Sequence, residues 1–490
     1  MVPIKRIPIL ALLAVVPLSL FGQSEITSFT VTGRGGVATT FVTDYHSIGI
    51  NPANLGWERR FEDKKFTLGF FEGSYSIYAE ALRKDEIRKE FSKFGERQFS
   101  WDEKADAARD FAENGLAINA DMMSIGAAYT SKKLGGIAFN VRDRFRSYIE
   151  LSPTASEILF EGYNASYFDI KLDAQGDTLG SDPDPDSVAY GAVSDSAEEF
   201  LSEITQGSQM DMTWYREFNL SYGRKILKND ALSLYVGGGV KYIRGFALMK
   251  VRSNDDGDLT AFSATSPAFD IDYGKKAIKS NPSSDTTNSG FLPDAVGKGF
   301  GFDLGVNAVI GKKLKLGASM NNVGSISWEG NVYEALDTIV YDTESPGANS
   351  YNFVEALDSI SGDSGVFRWA GKKKKKVKLP SVARFGASYK LSEMIEVGAD
   401  FVMPLNDAPG SYRQAIYGVG AKVDILEWLE VSAGVKSNAY GDVLNVPVGL
   451  VLKSKTGVYE AGIASRDAVT FFSKNEPTLS LSTGFLRFRF

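Results

Sequence analysis

The most informative absences from this 490-residue chain are cysteine, which does not occur, and histidine, which occurs once, as His46. Without cysteine the protein has no disulfide bonds, no thiolate metal sites and no lipid-anchored cysteine. Because no second histidine can share a metal ion, we interpret His46 as a structural or pore-lining residue and expect no metal site. The net charge of −7 is modest and argues against nucleic acid as a partner.

Long apolar runs are equally scarce. One lies at the start, where Lys5 and Arg6 precede the apolar residues 7–21 and a small residue, Gly22. This order is typical of a secretory signal peptide, so we expect residues 1–22 to be a leader, with an uncleaved anchor as the alternative. Beyond it no apolar stretch approaches the length of a transmembrane helix. An exported chain of this kind is either soluble or a β-barrel.

What the sequence has in quantity is glycine (49 residues), phenylalanine (32) and tyrosine (21). Many segments alternate apolar and polar residues, as in 395–403, 429–436 and 444–453. A period of two residues is the pattern of a β-strand. A soluble sandwich also alternates, but its outward face rarely combines so much glycine with so little charge. The composition therefore favours a barrel with aromatic girdles.

The connections between strands alternate between short and long. We predict about fourteen strands, at 65–81, 117–130, 135–151, 210–226, 231–252, 298–310, 314–329, 380–391, 395–405, 411–425, 429–440, 443–454, 458–472 and 478–490. Short turns on one side and long loops on the other describe a bacterial outer-membrane barrel. We therefore predict an all-β protein, a transmembrane antiparallel barrel whose closure leaves no sheet edge exposed. We expect it in the outer membrane of a Gram-negative cell, in contact with outer-membrane lipid and lipopolysaccharide.

Alternation also predicts which side chains face the inside of the barrel. The expected lumen-lining residues are polar residues opposite the apolar faces of their strands: Asp303, Asn307, Glu396, Asp400, Glu430, Lys436, Asn445, Lys453 and Glu460. Carboxylate pairs such as Glu396 with Asp400 fit a polar lumen better than a catalytic site.

The final strand places Leu486, Phe488 and Phe490 on one face and two arginines on the other. Lipid on one side and a wet lumen on the other explain this pattern, and the edge strand of a soluble sandwich is the alternative. The apolar face switches near Gly484, which indicates a β-bulge. A terminal aromatic residue resembles the signal that barrel proteins present to their insertion machinery, so we assign Phe488 and Phe490 to that role.

The long loops contain local signals of their own. Ser100 followed by Glu103 predicts a capping box that opens a helix ending near Glu113. Apolar residues at helical spacing in 82–94 predict another helix, and Ser196 to Glu199 could open a third. The five lysines at 372–376 suit either a solvated loop or a rim that pairs with anionic lipopolysaccharide or an acidic partner.

Motifs that would indicate an enzyme do not hold up. Gly33 to Ala38 matches a loose G-x-G-x-x-A dinucleotide pattern, but residues 39–42 are poor helix formers, so we expect no nucleotide or other cofactor. Gly362-Asp363-Ser364-Gly365 looks like the surroundings of a protease serine, yet no histidine base accompanies it. The acidic stretches at 182–186 and 254–258 lack the spacing of a calcium loop. We predict that the protein is not an enzyme.

One segment before the first strand points to a family. The glycines Gly33, Gly35 and Gly36, followed by Asp44 and then Asn51-Pro52-Ala53, resemble the FadL-type outer-membrane transporter superfamily, including its Bacteroidota relatives of the PorV type. Segments 301–306, 316–324 and 379–389 add to the resemblance. The resemblance implies a fourteen-stranded barrel with an N-terminal hatch. It divides the chain into leader 1–22, hatch 23–64 and barrel 65–490.

Two functions remain open at this point. The resemblance to FadL-type proteins implies passive uptake of a small hydrophobic molecule, which would leave through a lateral gap beside a glycine-rich bulge. The resemblance to PorV-type proteins implies a plugged barrel that docks secreted or surface proteins on its loops. The loops contain few apolar clusters, so the sequence does not show a groove for a fatty acid.

Overall fold

The structure is a computed structural model. The residues that it describes are 21–22, 28–57, 64–79, 98–112, 114–254, 258–281, 293–351, 353–439, 444–468 and 478–490.

Fourteen antiparallel strands of the described chain close into a barrel. They are β1 (Phe66–Ala79), β2 (Gly115–Ser131), β3 (Gly135–Glu150), β4 (Gln209–Lys228), β5 (Leu232–Ser253), β6 (Gly297–Ile310), β7 (Leu314–Trp328), β8 (Val382–Lys390), β9 (Ile395–Pro404), β10 (Ile416–Leu426), β11 (Leu429–Lys436), β12 (Val448–Lys453), β13 (Tyr459–Ser465) and β14 (Thr478–Arg489). Each strand pairs with the one before it, and β14 pairs with β1 from Thr478 to Arg489. The predicted all-β barrel and its strand count are confirmed.

The barrel wall is apolar outside and polar inside. On β6 the side chains of Phe300, Phe302, Leu304 and Val306 are between 53% and 64% exposed. The residues between them, including Asp303 and Gly305, are buried. Exposed apolar side chains on every second residue need lipid rather than water around them. In lipid every backbone hydrogen-bonding group must also be paired within the protein, and the closed barrel satisfies this because every strand has a hydrogen-bonded neighbour on each side.

The last strand contains the predicted bulge. Glu460 pairs with Arg487 and Gly462 with Gly484, so one residue of β13 faces two residues of β14, Phe485 and Leu486. Both of these are exposed. The bulge is the point at which the outward face of β14 changes register.

Residues 28–57 lie inside the barrel and are called the plug from here on. They form a short helix, α1 (Phe29–Thr32), and two 3-10 helices, Asp44–Ser47 and Pro52–Gly56. Nearly all of the plug is buried, and it packs against strands on every side. Of the predicted leader, Phe21 and Gly22 are described; they pair in parallel with Asn438 and Ala439. The predicted domain boundaries stay predictions.

The long connections fold into a second layer over the barrel. This layer, called the lid, comprises residues 98–112, 151–208, 258–281, 329–351 and 353–381. Its helices are α2 (Trp101–Phe111), α3 (Pro153–Glu161), α4 (Leu201–Ile204), α5 (Lys275–Ser280) and α6 (Phe353–Ile360), with 3-10 turns at Gly162–Asn164, Pro185–Ser187 and Pro267–Phe269. Ile170–Leu172, Tyr190–Ala192 and Asp342–Thr343 form a small sheet, while Leu259–Thr265, Val332–Leu336, Arg368–Lys372 and Lys375–Lys378 extend the barrel wall.

The helix predictions for the lid had different outcomes. The capping box is present, with Glu103 accepting from the Ser100 amide at 2.9 Å, and α2 ends at Phe111. The helix predicted to open at Ser196 was wrong, because α4 begins only at Leu201. The Glu199 carbonyl accepts from the Val340 amide at 3.1 Å, which holds this segment extended against residues 338–340. The predicted helix within 82–94 lies outside the described residues.

In the part of the chain that the structure describes, no helix has the length and apolar character that a membrane crossing needs. Within the same residues, no group of histidine, aspartate and glutamate is arranged to hold a metal ion.

Candidate functional site

A turn that contains three glycines lies close against the barrel wall. Gly35 and Gly36 have φ angles of +70° and +72°, a region that favours glycine. A Cβ atom on Gly33 would lie 2.4 Å from the backbone nitrogen of Gly449, and one on Gly35 would lie 2.7 Å from the Val419 carbonyl oxygen. Gly33 and Gly35 are therefore positions where plug backbone and wall backbone touch, while Gly36 lies against the side chain of Lys436.

The Asn-Pro-Ala triplet forms a second close contact. Asn51 caps the last 3-10 helix by accepting from the Ala53 amide at 3.1 Å, and its amide donates to the Val306 carbonyl at 3.2 Å. Pro52 lies against glycine, since a Cβ on Gly237 would approach the Pro52 carbonyl carbon to 2.3 Å. Glycine in β4, β5 and β6 thus makes room for the triplet inside the barrel.

A buried ion pair joins the plug to the final strand. Asp44 accepts two hydrogen bonds from Arg487, at 2.8 and 2.7 Å. Both side chains are buried, with at most 2% of their surface exposed. Arg487 also donates to Glu460 on β13 at 2.6 Å. A buried charge needs such partners because its desolvation is costly. Asp44 itself has a φ of +52°, which aspartate tolerates better than most residues.

The single histidine belongs to the same end of the plug. His46 lies 2.6 Å from Glu72 of β1, and the Tyr45 hydroxyl donates to the other oxygen of Glu72, also at 2.6 Å. The second ring nitrogen of His46 contacts the Ser28 hydroxyl at 3.1 Å. His46 therefore ties the plug to the first strand, while Asp44 ties it to the last.

Two further wall carboxylates, Asp400 on β9 and Glu430 on β11, also hold the plug. Asp400 accepts from the amides of Ala38 and Thr39, each at 2.8 Å, and from the Thr39 hydroxyl at 2.7 Å. Glu430 pairs with Arg34 at 2.8 Å. Each contact crosses between plug and wall, so the plug is held by charge and hydrogen bonds around its circumference.

The remaining predicted lumen residues lie inside the barrel, and most of their partners are other wall residues. Asp303 pairs with Lys241 at 3.1 Å, and Glu396 with Lys315 at 2.8 Å. Asn307 donates to Asn54 of the plug at 2.8 Å. The other three are described by their neighbours: Lys436 beside Gly36, Asn445 donating to Asp467, and Lys453 bridging Asp424 and Glu430.

A large cavity opens beneath the plug at the end with the short turns. Its volume is about 1270 Å³, and its lining is mixed in charge, including Arg34, Lys422, Lys453, Glu430 and Glu460. Phe41 and Trp57 of the plug form its roof, with the Lys315 ammonium 4.9 Å from the centre of the Trp57 ring. The plug therefore separates a polar vestibule from the lid.

The lid has an apolar core and an apolar cavity of its own. The cavity measures about 40 Å³ and is lined by side chains from α3, α4, strand ends and the far lid segment: Leu151, Ala155, Ile158, Leu159, Leu201, Ile204, Thr205, Ser208, Met210, Val251, Val340, Ile360, Val366 and Phe367. This apolar site is assembled from separate loops, which is why no single loop sequence indicated it.

One lysine of the lid is held in an unfavourable setting for its charge. Burial lowers the pKa of Lys104 on α2 to about 8, although Glu161 acts in the opposite direction. Its ammonium donates to the Pro346 carbonyl at 2.5 Å and lies 4.5 Å from the centre of the Trp101 ring. Lys104 thus joins two lid segments at a cost in desolvation.

The hydrogen-bond ladder of the wall is interrupted between β7 and β8 and the lid strand that precedes β8. The regular ladder stops at the pair Asn321 and Val382 and resumes at Ser325 and Lys378. Between these pairs the Leu379 amide donates to the Gly324 carbonyl at 3.0 Å, the Ser381 hydroxyl donates to the Asn322 carbonyl at 2.7 Å, and the Asn322 side-chain amide donates to the Pro380 carbonyl at 3.2 Å. Pro380 has no amide hydrogen to contribute. This stretch, 322–324 with 379–381, is called the seam.

A bulge and an apolar cluster flank the seam. Asp303 faces two residues of β7, and Asn322 takes a φ of +60° there. On the inner side Leu379 packs in an apolar cluster with Tyr215, Ile243, Phe262, Ile326 and Trp328. The bulge lies between glycine-rich strands, in the setting expected for a lateral gap, but in this structure three hydrogen bonds hold the seam together.

The sequence reasoning missed three residues that bind plug to wall: Arg34, Asp44 as an ion-pair partner, and Glu72. Glu72 was hidden because Phe71, with a φ of +51° and 68% exposure, interrupts the alternation of β1. The adjacent pair Phe70-Phe71 was the available signal. Phe490 is exposed and completes the ladder to Phe66, while Phe488 is half-buried on the same outward face. Their role as an insertion signal stays a prediction.

The closed wall, the apolar exterior and the bound plug define a class, the plugged outer-membrane β-barrel. The chain belongs to the family of unknown function DUF5723, whose model matches residues 194–456, more than half of its length. No curated protein matches the chain.

Solved structures with similar coordinates include transporters. The P. putida toluene transporter TodX is 10% identical with a TM-score of 0.42, over 94% of this chain and 97% of that one. The Ralstonia pickettii toluene transporter TbuX is 10% identical with a TM-score of 0.42, over 97% and 99%. A Pseudomonas aeruginosa FadL homologue is 12% identical with a TM-score of 0.41, over 95% and 97%.

Proposed function

We propose that the protein is a gated outer-membrane channel for passive uptake of small hydrophobic molecules. The observation that carries the proposal is the apolar cavity in the lid, whose lining is hydrocarbon except for two hydroxyl residues, Thr205 and Ser208. A buried apolar cavity stays dry and favours an apolar guest. Its position between the lid helices and the strand ends places it above the plug.

The resting cavity is smaller than its guest would be. Apolar cavities of about 150 Å³ admit benzene, whereas this one measures about 40 Å³. Met210 lines it, and methionine changes conformation at little cost. The cavity therefore has to widen when a guest molecule binds, through movement of Met210 and of the short helix α4.

The exit for such a molecule is the seam. A hydrophobic molecule gains little by crossing the charged vestibule, whereas the seam leads from the apolar cluster around Leu379 directly to lipid. Three hydrogen bonds join the seam, and each contributes roughly 1 kcal/mol net, so opening it costs about 3 kcal/mol in broken hydrogen bonds.

The first experiment fills the cavity. Ala155→Phe places a ring where Ala155 lines the cavity, and Ala174→Phe adds the same bulk at an exposed lid position. Uptake of the fluorescent probe N-phenyl-1-naphthylamine by cells expressing each variant is the readout, with heat-modifiability on gels as the check of barrel folding. We expect uptake to fall about tenfold or more for Ala155→Phe alone, the factor for about 1.4 kcal/mol. Normal uptake by a folded Ala155→Phe protein would exclude the cavity from the path.

The second experiment locks the seam. Because the chain has no cysteine, the pair Asn322→Cys and Ser381→Cys gives a single disulfide across it. Uptake should stop under oxidation and return on reduction. The pair Ala387→Cys and Ala399→Cys, which are register partners in an intact ladder, is the control and should have no effect. Uptake that continues through a locked seam would place the exit elsewhere.

A second candidate function is docking of a secreted or surface protein. It is favoured by three exposed apolar side chains on the lid: Phe200 (45%), Leu336 (46%) and Tyr341 (53%). Phe200 forms a β-bridge with Ile339, so it lies beside the segment that contains Leu336 and Tyr341. Phe200→Ser with Tyr341→Ser should abolish stoichiometric co-purification of a partner after mild extraction while leaving probe uptake intact. The opposite result, lost uptake with no partner at any stage, would support the channel alone.

A further inference from the structure

A row of basic side chains runs across the outside of the barrel. Strand register places Arg216 beside Arg244, Arg244 beside Lys298, Lys298 beside Ser327, and Ser327 beside Lys376. The four cations therefore lie on one line across β4, β5, β6, β7 and the strand Lys375–Lys378. We call Arg216, Arg244, Lys298 and Lys376 the basic row.

The basic row faces away from the lumen. Lys298 occupies the same face of β6 as Phe300 and Phe302, which are exposed to lipid, and Arg244 occupies the same face of β5 as Val240 and Tyr242. Successive residues of a strand point to opposite sides, so every second residue shares a face. These cations thus lie on the outer surface, at the upper end of the apolar belt.

Aromatic side chains lie directly below the row. Phe218, Tyr242 and Phe300 are each two residues from a cation of the row. The ring centre of Tyr242 is 6.1 Å from that of Phe218 on one side and 5.4 Å from that of Phe300 on the other. On neighbouring strands the outward residues therefore change from aliphatic to aromatic to basic at the same level. Aromatic girdles mark the boundary between hydrocarbon and headgroups in outer-membrane barrels.

The height of the row agrees with this boundary. Lys298 lies twelve positions before Ile310, where β6 meets a short turn. Twelve residues of a strand tilted by roughly 40° rise about 30 Å, while the apolar band of such barrels is about 25 Å tall. The basic row therefore lies at the outer edge of the membrane, under the lid.

Three cations of the row are available to a ligand. Arg216 pairs with Asp143 at 2.9 Å, but Arg244, Lys298 and Lys376 are exposed and make no hydrogen bond or ion pair with any residue that the structure describes. The neighbouring acid Glu329 pairs with Lys374 and also interacts electrostatically with Lys298. The cations at this level still outnumber the acids beside them, which favours an anionic headgroup from the membrane surface.

The row occupies one arc of the barrel. At the lid end of β9 the exposed outward residues are apolar, with Met403 at 40% and Leu405 at 42% exposure. Between Lys298 and Lys376 the wall carries a small side chain, Ser327, which leaves space between the two ammonium groups and adds a hydroxyl donor. The arrangement is therefore local, with the charge and space of an anion site.

We propose that the basic row binds the phosphate groups of a phosphorylated glycolipid in the outer leaflet, with the acyl chains of that lipid against the aromatic side chains below. Charge complementarity selects the phosphates, and the apolar belt selects a lipid over a free anion. Lysine binds phosphate as a point charge and arginine through several parallel hydrogen bonds. This site is separate from the plug and the lid cavity and does not depend on the uptake proposal.

The test measures lipid A binding to the full protein in detergent by native mass spectrometry. The variant is Arg244→Gln with Lys298→Gln and Lys376→Gln, and the control is Lys133→Gln with Lys312→Gln and Lys313→Gln, three exposed lysines at the short turns. Each cation near a charged membrane surface contributes about fivefold to affinity, so the row variant should bind diphosphorylated lipid A about a hundredfold more weakly. The control should bind as the natural protein does, and both should remain heat-modifiable.

Two further arms separate lipid from free phosphate and from general charge. Monophosphorylated lipid A should bind more weakly than the diphosphorylated form, and millimolar inorganic phosphate should not displace either. Equal binding by the row variant and the natural protein would overturn the proposal. So would equal losses in the row and control variants, or displacement by inorganic phosphate, which would indicate a site for a free anion.

Discussion

The ion pair between Asp44 of the plug and Arg487 of the final strand can be tested by a single substitution. Asp44→Asn keeps the size of the side chain and remains compatible with the φ of +52° at this position. It removes the negative charge that receives two hydrogen bonds from Arg487. The substitution therefore tests the ion pair with little change in shape.

The expected magnitude follows from what remains around Arg487. Breaking a buried ion pair by removing one partner costs about 3–5 kcal/mol. Arg487 keeps Glu460 at 2.6 Å, so we expect the low end of that range. A loss of about 3 kcal/mol shifts the equilibrium between seated and released plug by more than about a hundredfold.

Two measurements report the release. Single-channel recording in planar bilayers should show frequent openings for Asp44→Asn where the natural protein is closed. Hydrogen exchange of amides in residues 38–57 should accelerate by a similar factor, since these amides are protected only while the plug is seated.

Glu460→Gln is the matched control because it removes a carboxylate of the wall from the same arginine and leaves Asp44 in place. It should destabilise the barrel without releasing the plug. If Asp44→Asn leaves conductance and exchange unchanged, or if Glu460→Gln opens the channel equally, the plug is not held by this pair.

Three other outcomes are expected. Gly237→Ala should prevent seating of the plug and raise conductance, because its Cβ would lie 2.3 Å from the Pro52 carbonyl carbon. The neighbouring substitution Gly238→Ala should leave conductance unchanged, because its Cβ would meet nothing closer than 3.7 Å. Ser100→Ala should lower the stability of α2 by about 1 kcal/mol through loss of the capping box, seen as faster proteolysis of the lid. Burial lowers the pKa of Lys104 to about 8 in the folded lid, so the cost of burying its charge is full below pH 8 and is relieved as the pH rises towards the ordinary lysine value. Lid opening, measured by hydrogen exchange, should therefore become rarer from about pH 8 to 10. The variant Lys104→Met should show no such pH dependence.

The strand pattern was readable from the sequence because it depends on local geometry. Alternation fixes which residues face lipid, and turn length fixes which strands are neighbours, so the fourteen strands and the bulge in β14 were predicted. The capping box of α2 was predicted for the same reason, since Ser100 and Glu103 act on each other across one helical turn. The predicted helix at Ser196 failed where a distant segment, residues 338–340, supplied competing hydrogen bonds.

Contacts between distant segments were decided by the tertiary structure alone. Asp44 meets Arg487 across more than four hundred residues of chain, and the lid cavity draws its lining from strand ends and two separate loops. The basic row exists because strand register aligns cations from four different strands at one level. Sequence by itself determined the alternation of each strand, and closure of the barrel determined which side chains from different strands meet, because register and plug position are properties of the whole sheet.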